Sequence, residues 1–167
     1  MDMSFSRVMT DGPVTPETYR NVMGSLPAGV CVITIRSADN RLHGVTATSF
    51  TSLSLDPPLV QWSLRREAWS HDQMTTVERF GVSILSAEQE ELARRFATPM
   101  IDRFEALDIH GEPDGPPFLP GAQAWIDCST ETLLPGGDHT IVVGRVHEAQ
   151  VFDVRPLLFW RGAFHSV

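Results

Sequence analysis

No lysine occurs anywhere in this chain: all thirteen of its cations are arginine, set against twenty-one carboxylates for a formal net charge of −8. Without lysine there is no Schiff-base chemistry and no P-loop phosphate lysine, whereas arginine still offers forked contacts to phosphate. The acidic balance argues against nucleic acid, whose backbone wants a basic face. Cysteine is scarce too. Cys31 and Cys128 lie far apart, each in an apolar, strand-like run, and form no CxxC pair. They are expected as two buried thiols in a reducing compartment, a disulfide between them being the alternative. No apolar run approaches the length of a membrane span, and the first sixteen residues lack a signal-peptide core. The expectation is a cytoplasmic protein with neither membrane nor nucleic acid as partner. Six histidines show no HExxH and no clustered spacing, which leaves little room for a metal site. The absence of GxSxG and of GxGxxG argues against a serine hydrolase and against a Rossmann mode of nucleotide binding.

What is present fits one soluble domain. At 167 residues, 42% apolar and 20% charged, the chain can bury a core without staples. Residues 1–14 have no period and read as a flexible N-terminal arm; residues 15–167 read as the domain. Thr15-Pro16 opens a helix, N-cap then first helical position, and Tyr19, Val22, Met23 and Leu26 make its apolar face before Pro27 ends it. That helix is expected as a lid over a barrel end or as a dimer contact. Ala28–Ile35 reads as one buried strand, apolar on both faces. Asp56-Pro57-Pro58 breaks the next strand, and Leu59–Leu64 resumes it. Ser70-His71-Asp72-Gln73 and Ser86-Ala87-Glu88-Gln89 both have the capping-box pattern, opening a short helix through Val77 and a second helix whose Leu92 and Phe96 face inward. Thr98–Gly121 reads as a long loop, functional or mobile. Ala122–Leu133 and His139–Phe152 read as an antiparallel pair joined through Leu134–Asp138, and Pro156–Phe164 adds one or two short strands. Many strands at hairpin spacing with few helices indicate a closed or split β-barrel.

The least ordinary stretch is Thr46–Ser52. It holds five hydroxyl residues, Thr46, Thr48, Ser49, Thr51 and Ser52, around Ala47 and Phe50. Small side chains and hydroxyls suit a backbone that comes close to a flat, polar, phosphorylated ligand. The plainer alternative is a threonine-rich strand of good β-propensity.

Four anchors in order resolve the choice: Pro27-Ala28-Gly29-Val30; Gly44-Val45-Thr46-Ala47-Thr48-Ser49-Phe50-Thr51-Ser52-Leu53-Ser54-Leu55-Asp56-Pro57-Pro58; Gly136-Gly137-Asp138-His139-Thr140; and Leu157-Leu158-Phe159-Trp160-Arg161-Gly162. From about Thr18 to Phe164 the chain resembles the flavin reductase family, the small reductase components of two-component monooxygenases. The resemblance implies a mainly β fold, the FMN-binding split barrel with a few short helices, usually a homodimer with flavin sites near the subunit interface. It implies FMN or FAD and NADH or NADPH as cofactors, and a flavin-dependent monooxygenase that receives the reduced flavin. Carried over residue by residue, Thr46, Ala47, Thr48, Ser49, Phe50, Thr51 and Ser52 line the flavin, with Ser63, Leu64 and Arg65 at the end of the next strand. Arg65 would neutralise a flavin phosphate or stand as a solvated surface arginine. Ser70 and His71 correspond to the family's hydroxyl–histidine pair at a helix start, where free N–H groups favour an anion. Arg103 would reach a phosphate or pair with Asp102 or Glu105. His139, alternatively a satisfied structural residue at a strand start, would orient the nicotinamide, with Asp138 fixing its tautomer; Arg161 is the second NAD(P)H contact. Gln61-Trp62 departs from the family's usual aliphatic pair, which bears on the ring pocket. The implied reaction is hydride transfer from nicotinamide to flavin, with the protein supplying alignment and exclusion of water. The alternatives are a flavoprotein that holds its flavin tightly and reduces another acceptor, and a non-catalytic flavin-binding sensor.

Overall fold

The computed structural model describes residues 12–166, so most of the expected arm over 1–14 lies outside the described residues. The elements run in order as α1 (Pro16–Gly24), β1 (Ala28–Gly29), β2 (Cys31–Arg36), β3 (Leu42–Ala47), β4 (Thr51–Ser54), β5 (Leu59–Arg65), α2 (His71–Thr75) and β6 (Arg79–Ile84). A 3₁₀ turn (Ala87–Gln89) then leads into α3 (Glu90–Ala97), followed by β7 (Ala124–Gly136), β8 (His139–Val151), β9 (Leu157–Trp160) and β10 (Ala163–Ser166).

Seven strands pair in the order β3-β2-β6-β7-β8-β5-β4, and a small sheet pairs as β1-β9-β10. The two edges of the large sheet, β3 and β4, are joined by residues 48–50 alone. Flat, those edges would stand ~29 Å apart. From Ala47 to Thr51 the chain spans at most ~15 Å. The sheet therefore has to curl until its edges meet, which makes it a barrel split between β3 and β4. Bulges in the β7–β8 ladder, between Asp127 and Cys128 and between Thr130 and Thr132, supply bends of the kind this curvature needs. The mainly β split barrel expected of the sequence is what forms.

β2 shows why its residues are apolar on both faces. Cys31, Ile33 and Ile35 enter the barrel core with Trp62, Leu64, Met74, Phe80 and Val82. Val30 and Val32 enter a second core beneath α3, with Leu85, Ala93, Phe96, Leu119 and Leu157. The expected single strand over 28–35 is divided at Val30. Its N–H donates to Leu157 and its carbonyl accepts from Leu85, so the chain changes sheets there. α1 starts as expected, with Thr15 Oγ1 accepting from Thr18 N–H, but it buries none of its side chains. Within one chain it is therefore not a lid. Among the described residues no helix is long and apolar enough to cross a membrane.

Candidate active-site cleft

At the split, a cleft of about 740 Å³ opens between the β3–β4 corner (Val45–Ser49), the end of β5 (Ser63–Arg65), the following loop (Glu67–Ser70), the end of α3 with Pro99, Met100 and Arg103, and His139. Of the residues singled out in the sequence, it gathers Thr46, Ala47, Thr48, Ser49, Ser63, Leu64, Arg65, Ser70, Arg103 and His139. Volume and mixed lining suit a drug-sized ligand.

The hydroxyls do different jobs. Thr46 Oγ1 donates to the Ala93 carbonyl (2.7 Å), binding β3 to α3. Ser49 Oγ accepts from Ser63 N–H (3.0 Å) and sits 3.3 Å from the Ser63 carbonyl, sewing the corner to β5 across the split. Thr48 is exposed at the cleft wall. Thr51 and Ser52 stand on β4, paired with Gln61 and Val60, and Phe50 packs against the barrel core; none of the three lines the cleft.

Arg103 is the least expected member in its surroundings. Only 6% of it is exposed. Its guanidinium donates to the Thr98 carbonyl from Nε and Nη2 (2.9 and 2.7 Å) and to the Gly44 carbonyl from Nη1. Among the described residues no carboxylate answers it: Asp102 accepts the Phe104 N–H instead, so the ion pair with Asp102 or Glu105 entertained from the sequence is not formed. Burial drives its pKa below the ordinary arginine value, because a cation without a counter-charge is costly in a low dielectric. Its Cζ lies 4.9 Å from the Trp69 ring centroid, a cation–π contact. Gly44, whose carbonyl takes the Nη1 bond, packs close under Phe96: a Cβ there would sit 2.6 Å from that ring.

His139 starts β8, after the Gly137-Asp138 turn, where Gly137 has φ of 70°. Its partner in register is Arg65 on β5, which places both at the cleft rim. Asp138 Oδ1 lies 2.8 Å from His139 Nδ1. That hydrogen bond holds the Asp138 carboxyl below its usual range and leaves Nε2 as the ring's unengaged nitrogen. Arg65 is exposed and makes no ion pair among the described residues.

The capping box expected at Ser70 is not formed, and His71 and Arg161 stand outside this cleft within one chain. Ser70 precedes α2 but accepts no capping bond, its backbone lying at φ −97°, ψ 6° instead of in the extended region. The helix is one turn long, ends at Thr75, and the His71 N–H already donates to Ala68, so it offers no ready anion site. His71 lies outside the cleft, with Nε2 2.9 Å from Thr140 Oγ1 and Nδ1 3.2 Å from Asp72. Arg161 is also elsewhere in the chain. Its N–H donates to Gly24 at the end of α1, and its side chain stacks 4.7 Å from the Trp160 ring centroid.

The sequence reading missed Glu67, Ala68, Trp69, Phe96, Ala97, Pro99 and Met100 in the cleft wall. These come from loops and the end of a helix, where no periodicity marks the ligand side. A separate hollow of about 560 Å³ beside Arg79, Trp125 and Asp127, on the far side of β6–β8, holds none of the expected residues.

The chain is 38% identical over 152 residues to a flavin reductase of Pseudomonas putida, covering 90% of this chain and 89% of the relative. It is 36% identical over 168 residues to the reductase subunit HsaB of a flavin-dependent monooxygenase from Rhodococcus jostii (strain RHA1), covering 97% and 86%. The crystal structure of the NADH:FAD oxidoreductase SgcE6 of Streptomyces globisporus C-1027, in complex with NAD and FAD fragments, superimposes with a TM-score of 0.84 at 39% identity, covering 92% of this chain and 95% of that one. Residues 23–167 match the family described as flavin reductase like domain. The chain thus belongs to the flavin reductase like domain family.

Proposed function

We propose that the protein is an NAD(P)H-dependent flavin reductase, taking FMN or FAD and releasing reduced flavin to a flavin-dependent monooxygenase component. The observation that carries this reading is the meeting in one cleft of a buried, uncompensated arginine and a rim histidine, on a wall of small residues. The residues fit a flavin. Ala47, Ser49, Ser63 and Ala97 leave a flat ring room, while Arg103 and Arg65 supply positive charge for a phosphate in a chain that is otherwise acidic. Flavin, when bound, supplies the hydride acceptor. The protein's own part is binding and alignment: a hydride leaving nicotinamide needs no side-chain acid or base on the reacting atoms. Asp138 fixes the His139 ring through Nδ1, and Nε2 would then be free to hydrogen-bond the nicotinamide carboxamide. His71, bonded to Thr140 beside His139, is a positioning residue.

The working unit in this reading is a homodimer. Arg161 lies away from the cleft within one chain, so its contact with NAD(P)H would be made from the neighbouring subunit. Thr51 and Ser52, exposed on β4, and Phe50 behind them would then border the same flavin near that interface. Two free thiols, Cys31 and Cys128, fit a reducing cytoplasm.

Stopped-flow absorbance at the flavin band, with NADH and NADPH added separately, tests the assignment. Rapid bleaching of free flavin in excess is expected. Bleaching of a tightly bound equivalent alone would make it a flavoprotein with another acceptor, and no bleaching with either nucleotide would leave a binding module. His139→Ala is expected to raise KM for NAD(P)H by about three- to tenfold with the fold intact; an unchanged KM removes His139 from the site.

A further inference from the structure

The hollow of about 560 Å³ on the far side of β6–β8 is a built space that the flavin reading does not use. Arg79, Trp125 and Asp127 stand on its side of β6 and β7, while Ile126 and Cys128 alternate into the barrel core. Its other side is the second half of the long connection between α3 and β7, which is firmly held. His110 and Phe118 exchange both backbone hydrogen bonds (2.9 and 2.7 Å), and Thr34 Oγ1 donates to the Pro117 carbonyl from β2. Gly81 lets this segment down onto the sheet: a Cβ there would lie 2.9 Å from the Phe118 ring. The space is preformed, as ligand sites usually are.

One wall is aromatic. The Trp125 ring lies 5.7 Å from Phe118, nearly parallel to it, and 5.1 Å from His110. Its indole N–H is taken by the Leu119 carbonyl at 2.8 Å, so Trp125 brings carbon surface and no spare donor. The other wall is acidic. Asp127, Glu112 and Glu148 face Arg79, the sole arginine lining the hollow, an excess of two negative charges with histidine counted neutral. Arg79 is committed to Asp127 Oδ2. That hydrogen bond, with further attraction from Glu112 and Glu148, raises its pKa above the ordinary arginine value. Glu112 and Glu148 are exposed and make no ion pair among the described residues. Asp127 Oδ1 is buried and accepts no hydrogen bond from any described residue. Such an atom is costly to leave unsatisfied, and the soft terminal torsion of the carboxylate lets it turn towards a donor.

We propose that this hollow binds an organic cation with a flat apolar body, its amidinium, guanidinium or ammonium group among Asp127, Glu112 and Glu148 and its body against Trp125 and Phe118. A neutral ring gains the aromatic wall alone. An anion meets uncompensated carboxylates, and Arg79 can answer it only by giving up Asp127.

Benzamidine is the probe, flat and charged at neutral pH; benzamide has its shape without the charge, and benzoate has the opposite charge. Binding is measured on the full chain without flavin or nicotinamide, so the outcome is independent of the redox site. Benzamidine is expected to bind at least about tenfold more tightly than either analogue. Of the four tryptophan indole N–H resonances, the one that disappears in Trp125→Phe should move during the titration. Glu112→Gln combined with Glu148→Gln should weaken benzamidine binding at least about fivefold. Glu17→Gln combined with Glu91→Gln, which removes the same charge at exposed positions on α1 and α3, should leave it unchanged. This pair of double variants separates the hollow from the general pull of an acidic chain on cations. The proposal is overturned if benzamidine binds no more tightly than benzamide, if the Trp125 resonance stays still, or if both double variants weaken binding alike.

Discussion

Single side chains show where sequence reasoning had to stop. Arg103 was legible as a phosphate ligand or an ion-paired surface residue, because Asp102 and Glu105 flank it. The choice depended on where the loop after α3 would fold, and tertiary contacts alone decide that: the guanidinium turns inward to the Thr98 and Gly44 carbonyls. The cysteines were easier, since both lie in apolar strand-like runs. Cys31 on β2 and Cys128 on β7 are free and 3% and 0% exposed. Burial pushes both thiols up to about 12. At pH 8 only about one thiol in ten thousand is then the reactive thiolate, and even that one is shielded by the barrel. A disulfide-exchange reagent should therefore find essentially no thiol in the native protein at pH 8 and two in strong denaturant. Rapid native labelling would mean that β2 or β7 opens far more readily than a core strand should.

Among elements, the two Ser-x-x-Gln segments make a natural comparison, because the same pattern ends differently. Ser86 lies at φ −82°, ψ 163°, the extended conformation an N-cap needs, and its N–H donates to Gln89 Oε1 at 3.0 Å. Gln89 Nε2 donates in turn to the Pro120 carbonyl at 2.7 Å, so one side chain ties the helix start to the long loop. Ser70 enters its helix from a tight turn closed by the His71 N–H to Ala68 bond, and no box forms. The sequence carries the pattern but not the backbone angle that lets it close. Gln89→Ala should accordingly destabilise the protein by about 1–2 kcal/mol, and Gln73→Ala by no more than about 0.5 kcal/mol. Chemical denaturation of the pair measures both. Equal losses would show that the geometry at Ser86 contributes nothing beyond the pattern. Most strands were placed by alternation and turn residues, but the hydroxyl-rich stretch read as one strand turns a corner at residues 48–50. The division of the strands into two sheets at Val30 was not legible either, since an apolar run of that kind reads the same whether it serves one sheet or two.

At the scale of the whole molecule, closure of the barrel was legible in class but not in detail. Strand count suggested a barrel, while the site of the split is set by which strand edges meet, a long-range fact. What the single chain leaves uncovered points to the assembly. On α1 and just past its end, Tyr19, Val22 and Leu26 are 59%, 61% and 65% exposed, though their spacing is that of a buried helix face. At the free end of the β7–β8 hairpin, Leu133 and Leu134 are 41% and 46% exposed. Five large apolar groups left in water at two places cost several kcal/mol that a second copy would recover, at ~25 cal/mol per Å². The homodimer proposed above therefore predicts that sedimentation at micromolar concentration gives twice the chain mass of 18.5 kDa. Val22→Arg combined with Leu26→Arg, which adds charge at two solvent-facing positions on α1 and just after it and disturbs no core packing, should yield a folded monomer with unchanged strand content. It should also lose turnover, because the cleft would no longer receive Arg161 from its neighbour. A wild-type chain that sediments as a monomer, or a monomeric variant that keeps full turnover, would show instead that one barrel is sufficient for the reaction.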